Sequence, residues 1–176
     1  MAYKAVEIAE YVIQLSNEYG DSITPLKLQK LLYYIQGTYL AIKGEPAFSE
    51  EILAWKYGPA VHSVYAKYKE YGREQIQITN EISCINKQDQ EIIAEIYQKY
   101  RCFTAEQLMK KTHEESPWQN ADESQAISLE NIREYFSNNV YHDSKLFADK
   151  PIVTELTVEE YDPDEDADYI NSLIES

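Results

Sequence analysis

The sequence predicts a mainly α (α+β) fold: a single compact helical domain with a small antiparallel sheet and a mobile acidic C-terminal tail. Three observations carry that expectation. Apolar residues recur at helical spacing across most of the first 137 positions, while two short stretches alternate instead. The last stretch, from Glu155 to Ser176, holds nine acidic residues and no Lys or Arg, too polar to bury a core. The expected division is therefore residues 1–154 as the folded domain and 155–176 as the tail.

The first helix follows from Ala5, Ile8, Ala9, Val12 and Leu15, which share one face before Gly20 ends the run. Thr24 and Pro25 form a second helix start, because Pro costs nothing at a position whose N–H has no partner. Leu28, Leu31, Leu32, Ile35, Tyr39 and Ile42 form its stripe up to Gly44, with Lys27, Lys30 and Tyr34 assigned to the polar face. Gly37, in the helix interior, implies close approach of another backbone. Residues 51–57 alternate as a short strand, and Gly58-Pro59 breaks it and opens a helix striped by Val61, Val64, Tyr65 and Tyr68. Residues 75–79 alternate again and are expected to pair with that strand. Further helices are expected over 87–100, 104–112 and 128–137, with Thr104 and Gln107 as a capping box, and a late strand over 152–158. Thr112 to Trp118 should close a helix and present Trp118 in a turn.

Composition narrows the function. Of the net charge of −15, the tail accounts for nine, leaving −6 on residues 1–154. Phosphate backbones are repelled by such a chain, so direct nucleic-acid binding is not expected. Two cysteines without CxxC spacing suit a reducing compartment, and no apolar run reaches the roughly 18 residues of a membrane span. With no apolar leader at the start, the expected place is the cytoplasm, away from membranes. Sixteen tyrosines against four phenylalanines offer rings that bury area while keeping a polar tip.

Catalytic, cofactor-binding and metal-ligating residues are not predicted. His62, His113 and His142 stand in no HExxH pattern, and neither Cys84 nor Cys102 sits in an activated setting. Asp162, Asp164 and Asp166 imitate the opening of a calcium loop, but Ala167 occupies its glycine position and Leu173 its bidentate glutamate position. Phosphate-cradling glycine loops are absent as well.

Three segments, "LKLQKLLYYIQG", "AWKYGPAVHSVY" and "THEESPW", in this order and spacing, resemble the Panacea antitoxin domain family, which includes SocA-like antitoxins and phage-associated GepA-like proteins. The resemblance runs from about Tyr3 to Ser137. It implies a helical, non-enzymatic protein-binding module whose partner is a cognate toxin encoded by a neighbouring gene. Neutralisation would come by direct contact or by presenting the toxin to a protease or chaperone. The protein-binding residues expected within these segments are Lys27, Lys30, Tyr34, Trp55, Tyr57, Gly58, Pro59, His113, Pro117 and Trp118. Two other readings stand beside it: an acidic inhibitor or nucleic-acid mimic that binds a host protein, and an enzyme with an unrecognised site.

Overall fold

A computed structural model describes residues 2–77 and 84–139, and the element order within them is α1 (Ala5–Tyr19), α2 (Pro25–Lys43), β1 (Leu53–Trp55), β2 (Gly58–Ala60), α3 (His62–Tyr68), α4 (Lys87–Tyr100), α5 (Ala105–His113), α6 (Ser116–Gln119) and α7 (Leu129–Asn139). The expected late strand and acidic tail lie outside the described residues. The helix ends follow the local chemistry foreseen for them. Gly20 and Gly44 close α1 and α2 in the left-handed conformation, at φ 69° and 75°. Thr24 Oγ1 accepts from the Lys27 amide, and Thr104 and Gln107 form the reciprocal capping box of α5.

The helix α2 departs from expectation. It is not an amphipathic helix with a solvated face; Pro25 through Leu40 are buried all round. Helices α1, α3, α4, α5 and α7 and strand β2 all pack against it. A helix surrounded in this way needs its polar side chains satisfied internally, and its two buried glutamines are, although the Tyr33 and Thr38 hydroxyls make no hydrogen bond among the described residues. Gln29 holds both the N–H and the C=O of Val61, at 2.7 and 3.2 Å, and Gln36 does the same for Phe48, at 3.2 and 2.9 Å. Ile42, placed on the apolar stripe, is exposed instead. The close approach at Gly37 is made by a ring and not by backbone: a Cβ there would lie 2.3 Å from the Phe136 side chain of α7.

The sheet also differs. Gly58-Pro59 does not open a helix but continues as β2, antiparallel to β1 with Leu53 opposite Ala60, Ala54 opposite Pro59 and Trp55 opposite Gly58; α3 starts only at His62. Pro59 is tolerated because Ala54 turns its N–H and C=O the other way, to Gln125 and Ser124, so the missing donor breaks no ladder bond. Residues 124–127 thus flank β1 where 75–79 was expected. Of that expected strand, Ile76 instead donates its N–H to Ile23 between α1 and α2; positions 78–79 are outside the described residues.

Candidate functional site

The three motif segments come together around the β1–β2 hairpin. From α2, the Lys30 ammonium, only 1% exposed, donates to the Pro59 carbonyl at 3.0 Å. Gly58 sits at φ +96°, and a Cβ on it would meet Thr112 Oγ1 of α5 at 2.7 Å and Lys30 Nζ at 3.0 Å. The corner after α5 supports the same hairpin: the Trp118 indole N–H donates to the Trp55 carbonyl at 3.0 Å. His113 stacks on Trp118, with centroids 4.1 Å apart and planes within 20°. Burial, with the charge of Lys30 nearby, holds the His113 imidazole below its usual 6.5, so it is neutral at neutral pH. Trp118 therefore belongs to a short helix, α6, and not to the open turn expected for it.

Between α2 and the hairpin lies a mainly apolar notch of about 20 Å³, bordered by Pro25, Leu26, Trp55, Tyr57, Ala60 and Tyr65. Trp55 is 3% exposed, and its indole N–H makes no hydrogen bond among the described residues. Such a donor carries a desolvation cost of about 1–3 kcal/mol until an acceptor reaches it.

Of the ten expected protein-binding residues, Tyr57, His113 and Trp118 are half-buried and keep part of their surface exposed. Lys27, Lys30, Tyr34, Trp55, Gly58, Pro59 and Pro117 are buried. The expectation that Lys27 and Lys30 line a solvated face is thus corrected. Lys27 caps the C-terminal end of α4 through the Arg101 carbonyl at 2.7 Å, where a cation complements the helix dipole, and burial lowers its pKa.

Sequence reasoning missed Glu115 altogether. It is 3% exposed at the N-cap of α6, and its carboxylate accepts from the Tyr34 hydroxyl at 2.9 Å with Lys111 at 3.7 Å. Burial pushes its carboxyl above the usual range. Tyr34 stacks on Tyr100 at 4.2 Å and meets Tyr33 and Phe136 edge-on. The unusual tyrosine count was the available signal, since buried hydroxyls need buried acceptors. Among the described residues, no three His, Cys, Asp or Glu side chains gather as a metal would require. No described helix is long and apolar enough to cross a membrane.

The family model for antitoxin SocA-like proteins, Panacea domain, matches residues 28–119, which takes in most of α2 and all of the hairpin, α5 and α6. Antitoxin SocA of Caulobacter vibrioides is 41% identical over 54 residues, covering 31% of this chain and 29% of that relative. The matched stretch is thus under a third of the relative's length. No solved structure matches.

Proposed function

Because the chain belongs to the SocA-like Panacea antitoxin family, we propose that it is a cytoplasmic antitoxin that holds a partner toxin by direct contact, without catalysis, across the surface around the β1–β2 hairpin. The observation that carries this reading is the convergence of the three motif segments on one hairpin, flanked by the half-buried Tyr57 and the His113–Trp118 stack. Protein interfaces draw most of their energy from a few aromatic anchors, and these rings are of the favoured type. The notch beside them suits a methyl-sized apolar group. Net charge of −15 favours a basic toxin and faster encounter with it.

The test is co-expression with the product of the neighbouring gene, with growth and binding both measured. Trp118→Ala and Tyr57→Ala should each weaken the complex by about 2 kcal/mol, roughly 30-fold, and restore toxicity. Wild-type affinity in both variants would place the contact elsewhere. Toxin half-life in cells then separates the two routes: contact alone leaves it unchanged, and delivery to a protease shortens it.

A further inference from the structure

A second cleft, of about 230 Å³, lies between α6 and α7, away from the hairpin. Asn131, Glu134, Tyr135 and Asn138 line it from α7, with Asn120 and Ser116 opposite. The α7 positions are spaced i, i+3, i+4 and i+7, so they form one stripe, while Ile132 and Phe136 take the buried side. None of the carboxamides of Asn120, Asn131 and Asn138 hydrogen-bonds another described residue. Asn is also a weak helix former, so α7 gives up helical preference by carrying it here. Tyr135, beside the buried Glu115, lies at the boundary between cleft and core; burial and that carboxylate push its phenol up to about 12.

We propose that this cleft binds the main chain of an extended, basic peptide segment of a partner protein. Each carboxamide offers a donor and an acceptor, the complement of a peptide unit. Asn131 and Asn138 stand about 10.5 Å apart along the helix, from its 1.5 Å rise, and an extended chain covers that span in about three residues. Glu134 lies between them and meets a Lys or Arg side chain of the segment. The carboxylate and the net charge of −15 turn away phosphate-bearing ligands. This deepens the protein-binding reading and rests on it for the class of partner.

The full chain, isotope-labelled, is titrated with Ac-Val-Lys-Val-Lys-Val-NH2 while side-chain amide signals are followed by NMR, assigned through Asn131→Ala and Asn138→Ala. The Asn131 and Asn138 amide pairs should shift saturably. Binding should fall at least about 10-fold for a peptide N-methylated on its main chain, for one with Glu in place of Lys, and for the Asn131→Ala/Asn138→Ala double variant. Unmoved amide pairs, or equal binding by the methylated peptide, the acidic peptide or the double variant, would overturn the proposal. No toxin enters this assay, so a cleft that binds in a protein unable to neutralise would sink the antitoxin reading and leave this one standing.

Discussion

Gly58→Ala tests whether the hairpin is held where the three segments meet by the absence of a single carbon. The residue sits at φ +96°, where an L side chain costs about 1–3 kcal/mol in backbone strain. The added Cβ would lie 2.7 Å from Thr112 Oγ1, about 0.7 Å inside ordinary contact. Thr112 is fully buried and donates to Met109 O at 2.7 Å, so it has nowhere to retreat. Lys30 Nζ, at 3.0 Å, is the flexible end of its chain but is engaged with Pro59 O. Overpacking of this kind adds about 1–3 kcal/mol. A total near 3 kcal/mol lowers Tm by roughly 6–12 °C in a domain of this size. Thermal melts by calorimetry read it directly. Adding Thr112→Ala should return the steric share and leave the backbone share, giving a double variant more stable than the summed single effects. A Gly58→Ala protein that melts within about 1 °C of wild type would refute the reasoning, because either contribution alone exceeds that. Destabilisation with no coupling to Thr112 would refute the steric half.

Gly37→Ala should be destabilising by about 1–2 kcal/mol in the same melts, although Ala is the better helix former by about 1 kcal/mol, because the Phe136 ring blocks its Cβ at 2.3 Å; Phe136→Leu should relieve the penalty in the double variant. Glu115→Gln should raise Tm at about pH 8 and match wild type near pH 4. The sign follows from burial: the folded state binds this proton more tightly than the unfolded chain, so the stability Glu115 lends is complete below its ordinary 4.5 and is lost as pH rises through the raised folded value. A Gln variant less stable than wild type at pH 8 would mean that Tyr34 depends on the ionised carboxylate.

What could be read from the sequence was short-range. Gly20, Thr24-Pro25, Gly44 and the Thr104–Gln107 box act within a few residues, so their effect on helix ends follows without knowledge of the fold. The burial of α2 was not legible, because Lys27, Gln29 and Lys30 look like a solvated face in sequence. Each is instead satisfied by a carbonyl far along the chain, at Arg101, Val61 and Pro59. Gly58-Pro59 misled for a similar reason: Pro normally ends a strand, and only the flanking segment 124–127 frees Ala54 from needing its N–H. The ten expected contact residues all fall in the three motif segments, yet seven are buried, since sequence motifs do not separate residues that build a surface from those that present it.

The tyrosines and the acids explain one another. Tyr97 donates to Asp21 at 2.6 Å, Tyr3 and Tyr39 both donate to Asp89 at 2.8 Å, and Tyr34 donates to Glu115 at 2.9 Å. Part of the acidic excess therefore serves as interior acceptors for phenols, which weakens the case for a nucleic-acid mimic with its charge arrayed outside. The three acids do not behave alike. Burial raises Asp21 and Asp89, but the Arg101 guanidinium with Tyr97, and the two tyrosines with Asn86 and Lys43, outweigh it and hold both carboxyls below the usual range. At Glu115 burial wins over Lys111 and Tyr34, so this group is the least settled of the three. It is also the one at the N-cap of α6: its contact with Tyr34 ties α6 to α2, and α6 carries Trp118, whose indole reaches the Trp55 carbonyl. Trp118 is thus positioned by a buried tyrosine–glutamate pair, so on the reading proposed above a change at either member should weaken toxin binding without touching the contact surface.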